Sequence, residues 1–329
     1  MSLRVGTMPY DTTDALLDGR VTFDGVPATV ASAAIASDLF RRMVVDREFD
    51  VAELGLTVHL RLLDVDAPFV AIPAFPARVF RHSCVYVHTA SGIERPEDLA
   101  GRTVGEFGMY GQDSGVWVKG VLADEYGVTP DRCRWVIGGL DRPAPPFDFV
   151  PHPHPDDVHV ERAPAGRSLG AMLESGEIDA LVSSLAPQCA LDGSPHVRRL
   201  FEDFETVERD YHRRTGIFPI MHTVVLPREL VAGHPGLART VYEGYLAAKE
   251  AGLERYRTAR RVHQVRTMLP WTNALVERTT AEFGADWWPY GIAANRTTLD
   301  AFLRHHHEQG LSRRRLGVED VFVPELLDT

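Results

Sequence analysis

Lysine is nearly missing from this chain. Of its 35 lysine and arginine residues, only Lys119 and Lys249 are lysine. A GC-rich coding sequence accounts for such a bias without any functional demand. Even so, an anion site here would use guanidinium, whose planar fork matches a carboxylate with two parallel hydrogen bonds. Cysteine is scarce as well. Cys84, Cys133 and Cys189 are odd in number, widely spaced and without a CxxC pair. That argues against a disulfide framework or a zinc ribbon and leaves free buried thiols as the expectation. No segment approaches the ~20 apolar residues of a membrane span. The first residues lack an apolar h-region and reach Asp11 and Asp14 early, so no secretory signal and a cytoplasmic location are expected. Phosphate-loop, dinucleotide and HExxH motifs are absent, as are internal repeats. The net charge is −11, with no clustered basic face, which argues against nucleic acid as a partner.

What is present is an ordinary globular composition, 44% hydrophobic and 25% charged, in 329 residues, enough for one large domain or two medium ones. Strand and helix patterns alternate. LRVGTM (3–8) and FDVAEL (49–54) read as strands. Residues 37–49 carry apolar positions Leu39, Phe40, Met43 and Val44 at helical spacing, with Ser37 or Asp38 as the cap. FVAIPAF and CVYVH are buried-strand runs. A strand follows RPEDLAGR, then a helix over 114–126 ends at Gly127. CRWVIGG, the end of SLGAMLESGEIDALVSS and FPIMHTVVL supply further strands, and the chain from 235 onward reads as mostly helical, with breaks at Pro270 and Pro289. Residues 141–157 hold six prolines, which forbid regular helix and predict a surface excursion or flap. Alternation of this kind implies sheets covered by helices, with ligands at the carboxyl ends of strands.

Two segments carry a fold-level resemblance: IERPEDLAGRTVG (93–105) and MLESGEIDALV (172–182). Together they resemble the second lobe of type II periplasmic solute-binding proteins. A closer resemblance covers nearly the whole chain. FDVAELGL (49–56), FVAIPAFPARVFRHS (69–83), GVWVKGVLADEYGV (115–128), APAGRSLGAML (163–173), SPHVRRLF (194–201), YHRRTGIFPIMHTVV (211–225) and WWPYGIAANRTTLDAFLRHHHEQGLS (287–312) look like the 4,5-dihydroxyphthalate decarboxylase family. EFGMYGQDSG (106–115) departs from that family's pattern. The resemblance implies an α/β, two-lobed fold with mixed sheets flanked by helices and a ligand cleft between the lobes. Lobe one would be 1–88 plus 217–329, and lobe two 89–216.

It also implies a cofactor-independent carboxy-lyase for a hydroxylated aromatic carboxylic acid, with metal assistance as the lesser alternative. A binding protein of the same fold without chemistry is the rival reading, and an enzyme acting on another aromatic acid is the third. The expected partner is a small aromatic carboxylate, with no membrane; a homo-oligomer is compatible with the sequence.

On this topology Arg78, Arg81, His82, Arg214 and His222 fall near the lobe crossings. Arg81 is the expected carboxylate clamp, with Arg78 or Arg214 on a second carboxylate; structural ion pairs are the alternative for each. His82 and His222 are the acid and base candidates, because imidazole titrates near neutral pH. Glu53, at the end of a strand, is an alternative base or a helix-cap partner. Tyr110 lies in the loop before the 114–126 helix, where Asp113 or Ser114 reads as the N-cap. Ser183 and Ser184 follow a strand and could offer hydroxyls to ligand oxygens or be satisfied in the core. His305, His306 and His307 are consecutive on a predicted helix and so point in different directions, which forbids one metal face. His152 and His154 lack ligand spacing, so no metal site is expected. Trp287, Trp288 and Tyr290 read as lobe packing, with an aromatic wall for a ring as the alternative.

Overall fold

The aliphatic runs build two separate sheets, and the chain passes between them twice. The computed structural model describes residues 1–66, 68–262 and 267–329. The first sheet has five strands in the order Ala28–Ala31, Leu3–Gly6, Val51–Gly55, His222–Pro227, Phe69–Ile72. The second has six: Val197–Arg199, Val85–His88, Ala180–Val182, Thr103–Phe107, Arg134–Gly138, His159–Arg162. Each sheet contains one strand antiparallel to both neighbours, and in each case it is the strand that follows a crossing. These are His222–Pro227 and Val85–His88. Both sheets are therefore mixed.

The crossings lie side by side. Arg78 and Ile220 form an antiparallel bridge. Val79 donates its N–H to Pro219 O at 3.2 Å, and Met221 donates to Ala77 O at 3.0 Å. Val85–His88 belongs wholly to the second sheet, so the first crossing precedes residue 85 rather than falling at 88. The strand expected over FPIMHTVVL begins only at His222, because 217–221 is spent on the second crossing.

Three strands had no sequence signal: Ala28–Ala31, His159–Arg162 and Val197–Arg199. All three lie at sheet edges. Their side chains are partly in water, so they lack the apolar run that marks a buried strand. The helix expected over 37–49 spans Ala36–Val44, starts at Ile35 without a side-chain cap, and stops before Arg47, which has a φ of 52°. The expected helical run from 235 includes 263–266, which lie outside the described residues; around it stand Leu237–Arg261, Thr272–Phe283 and Arg296–Glu308.

Helix Asp113–Tyr126 ends at Gly127, whose φ of 66° closes it as expected. This helix joins the two lobes. Trp117 is fully buried, packs against Phe302 with ring centres 5.4 Å apart, and donates its indole N–H to Ile220 O at 2.8 Å. Its truncation would cost about 3–5 kcal/mol. The main hydrophobic core runs from the first sheet through Trp117 to one face of the second, and a smaller cluster around Leu169, Leu173 and Leu181 covers that sheet's other face. The three cysteines are free and buried, as expected. The consecutive histidines do diverge: His305 faces Asp124 at 2.9 Å, His307 faces Ser312 O at 3.2 Å, and neither ring nitrogen of His306 has a partner.

Candidate functional site

The site starts from strand register. Strands Val51–Gly55 and His222–Pro227 pair antiparallel, with Val224 opposite Glu53 and His222 opposite Gly55. This brings the Glu53 carboxylate to the His222 ring, with Oε1 2.6 Å from Nδ1. Glu53 is fully buried, and its other oxygen accepts from the Thr7 hydroxyl and the Met8 N–H, each at 2.9 Å. A buried carboxylate held by several donors is a fixed acceptor. It therefore keeps the His222 Nδ1 proton, and Nε2 is left for a ligand. Phe40 holds the ring edge-on, with ring centres 5.1 Å apart. Tyr10 stands beside the same carboxylate; burial, and then the Glu53 charge, push its phenol above the ordinary range.

His222 lines a cavity of about 700 Å³ that also takes in Tyr10, Arg78 and Arg81. Arg81 is half-buried, with Nε 3.1 Å from the Met221 sulfur. Arg78 is buried over the rings of Phe75 and Phe218 and donates to Asn295 Oδ1, while its Nε has no partner. Burial lowers its guanidinium to about 9. Among the described residues neither arginine forms an ion pair, in a chain where most other arginines do. Two guanidiniums without carboxylates at a cavity wall are what a carboxylate ligand needs.

The other expected site residues go elsewhere. His82 adjoins Arg81 in sequence, but the chain turns there into a 3₁₀ segment, His82–Cys84. Its ring is packed between Phe201 and Tyr211, with Nδ1 3.9 Å from Glu208, outside the cavity lining. Burial lowers it to about 4. Arg214 sits at the exposed end of helix Phe204–Thr215, tied to Glu125 at 2.5 Å and Asp210 at 2.7 Å. Tyr110 is buried beside Trp135, with Lys119 Nζ 4.5 Å from its ring centre. The Ser183 hydroxyl accepts from Leu185 N–H at 3.2 Å, and Ser184 is half-buried beside it; neither lines the cavity. For His82, Arg214, Tyr110 and Ser183 a local partner or a neighbouring element has claimed the side chain. Glu53 is brought to the site, but behind His222 rather than facing the cavity.

Asp113 does something the sequence did not show. Helix Asp113–Tyr126 has Gln112 at its N-cap, and the Asp113 carboxylate instead crosses to the other lobe. There Oδ1 accepts the N–H of Thr57 at 2.8 Å, in the first turn of helix Leu56–Leu63. Gly55 makes room for it: a Cβ there would lie 2.4 Å from Asp113 Oδ2. Burial raises the Asp113 carboxyl, against the pull of His222 and Arg81. The same helix holds the opposite loop twice more. Thr57 donates its hydroxyl to Gly111 O at 3.0 Å. Arg61, fully buried, donates to Tyr110 O at 2.6 Å, Gly111 O at 3.1 Å and Pro151 O at 2.8 Å. Pro151 belongs to the proline-rich 141–157 excursion, which thus straps the 107–112 loop against lobe one. Tyr10 was also missed. It follows strand Leu3–Gly6, and the rule that ligands gather at carboxyl ends of strands was the signal for it.

Among the described residues no group of three or more His, Cys, Asp or Glu side chains is placed to hold a metal ion. No helix of the described residues is long and apolar enough to cross a membrane.

No family model matches the chain. It is 33% identical over 330 residues to the 4,5-dihydroxyphthalate decarboxylase of Comamonas testosteroni, covering 100% of this chain and 98% of that protein. It is 32% identical over 214 residues to the 4,5-dihydroxyphthalate decarboxylase of Pseudomonas putida, covering 65% of this chain and 81% of that one. Among solved structures it resembles the periplasmic sulfonate-binding protein of Methylobacillus flagellatus, with a TM-score of 0.58, 14% identity, and 100% of this chain and 93% of that one covered. The aliphatic sulphonate binding protein of Escherichia coli gives 0.53 at 12% identity, with 98% and 92% covered. These likenesses show the expected fold.

Proposed function

The chain belongs to the 4,5-dihydroxyphthalate decarboxylase family and is a carboxy-lyase, and from that premise we propose that it decarboxylates a hydroxylated aromatic carboxylic acid at His222, with Glu53 behind the ring and Arg81 on the carboxylate. One observation carries this reading. The 2.6 Å Glu53–His222 contact opens onto the cavity that also holds two arginines without carboxylate partners.

Direct loss of CO2 from an aromatic ring would leave charge in an sp2 orbital outside the π system. A hydroxyl para or ortho to the carboxylate offers another route. Its electrons move into the ring as the phenolic proton passes to water and a ring carbonyl forms. The carbon bearing the carboxylate then takes a proton. The C–C bond breaks, its electron pair restores aromaticity, CO2 departs, and the oxygen regains a proton. The net reaction consumes one proton and yields the arene and CO2. Among the described residues His222 is the imidazole that lines the cavity, and as the imidazolium it is the proton donor. Glu53 steadies the imidazolium, much as a buried carboxylate orients the histidine of an acyl-transfer triad. Arg81 clamps the departing carboxylate. Arg78 holds a second carboxylate where the substrate has one.

The test is to incubate the purified protein with a panel of hydroxylated aromatic carboxylates and measure CO2 release. Release that disappears in His222→Ala supports the assignment. Binding without release supports the rival reading, a receptor on the fold shared with the sulfonate-binding proteins. Full turnover by His222→Ala removes His222 from the chemistry.

A further inference from the structure

The cavity has more room than the chemistry uses. A single-ring diacid at Arg81 and His222 fills a small part of its approximately 700 Å³. The remaining wall comes from helices Leu237–Arg261 and Thr272–Phe283 and from Trp287 and Trp288. Three of its polar side chains are engaged within the protein. Lys249 is buried and paired with Glu250 at 2.6 Å and Asp286 at 2.8 Å. The Tyr256 hydroxyl is bonded to Asp11. The Trp288 indole N–H is donated to Phe75 O at 2.9 Å, so that Trp288 offers the cavity only ring surface. The rest of the wall is mainly apolar, with Leu253, Leu269, Leu275, Val276 and the two tryptophans beside three threonines. Two of these leucines are poorly covered by the protein itself, Leu269 being 65% and Leu275 46% exposed. Large apolar side chains left open at a cavity mouth mark a binding surface.

We propose that this wall is a second subsite, and that the preferred substrate is a hydroxylated aromatic carboxylate carrying an apolar extension, such as a second ring or a branched alkyl chain, which lies against the Leu275 and Trp287 face. The proposal rests on the decarboxylase reading and adds the substrate's other end. It gives Trp287 and Trp288 a role in recognition beyond lobe packing. It also fits a wall whose Lys249 is paired within the protein, across the cavity from two guanidiniums without carboxylates: one end of the ligand is anionic and the other apolar. A single methylene in an apolar pocket is worth about 10–200-fold in discrimination, so an extension of ring size has a large expected effect.

The experiment compares kcat/KM for 4,5-dihydroxyphthalate with kcat/KM for phenyl- and isopropyl-substituted hydroxybenzoates. At least one extended acid should exceed the single-ring diacid by tenfold or more. Thr279→Trp, which fills the wall from a half-buried position, and Leu275→Gln, an exposed change that the helix tolerates, should each lower the extended-to-single-ring ratio at least fivefold. Melting curves confirm that both variants are folded, and either one alone is sufficient for the comparison. If the single-ring diacid is turned over better than every extended acid, or if both variants leave the ratio unchanged, the subsite is wrong while the decarboxylase reading stands. If no acid of either kind releases CO2, the decarboxylase reading itself fails; extended acids that still bind more weakly than the single-ring diacid would sink the subsite as well.

Discussion

Replacing Glu53 by glutamine tests the dyad with the smallest change in shape. The carboxylate is fully buried and accepts from Thr7, Met8 and His222. The glutamine carbonyl can keep one face of that arrangement. If it stays with Thr7 and Met8, its NH2 group meets Nδ1, which must then turn from donor to acceptor. The ring changes tautomer, and the imidazolium loses the negative charge beside it. A hydrogen bond to a charged group contributes about 1.5–3 kcal/mol. At about 1.4 kcal/mol per tenfold, that is a fall in kcat of roughly 10–150-fold. KM should stay within about threefold, because Glu53 does not reach the cavity. The assay is steady-state CO2 release across substrate concentration, with a melting curve to show that the variant is folded. A kcat within threefold of the parent would refute the dyad. So would a large rise in KM at unchanged kcat, which would place Glu53 on the substrate instead.

Three further outcomes follow from other contacts. Arg81→Lys keeps the charge and loses the fork; KM should rise about tenfold or more, seen in initial rates, whereas Arg214→Lys on the exposed helix end should leave KM unchanged. Gly55→Ala would bring a methyl group to 2.4 Å from Asp113 Oδ2; by displacing that carboxylate it removes a helix cap and should cost about 1–2 kcal/mol in urea unfolding. Asp124→Asn should destabilise at pH 7. The His305 and then the Arg304 hydrogen bonds hold the Asp124 carboxyl below its ordinary range. Its contribution is therefore present above the unfolded carboxylate pKa and lost as pH falls through the lower folded value, so the gap between the two melting curves should close in acid.

Legibility followed burial. Fully buried strands such as Val51–Gly55 and Phe69–Ile72 were readable because apolar side chains on both faces leave an unbroken run. The three partly exposed edge strands were not, because a half-wet strand of three or four residues has no pattern of its own. His222 and Arg81 could be placed from topology, since the crossings had to meet at the cleft. That Glu53 touches His222 depended on a register between strands 169 residues apart, which no local pattern encodes. His82 shows the converse error. Its neighbour reaches the cavity, yet one 3₁₀ turn sends the imidazole into the packing against Phe201 and Tyr211. Asp113 was legible as a helix-start residue, but which helix it serves is a tertiary fact.

That last contact alters what substrate binding has to accomplish. In a two-lobed receptor whose lobes meet only through a guest, part of every ligand contact is spent on bringing the halves together, and affinity is reduced accordingly. Here Asp113, Thr57 and Arg61 join the halves with bonds internal to the chain. The chain's own bonds hold the cleft in shape. On the proposed function, the free energy of clamping an aromatic acid is then available for pressing it against a proton donor, and a scaffold that serves capture in the sulfonate-binding proteins would serve turnover.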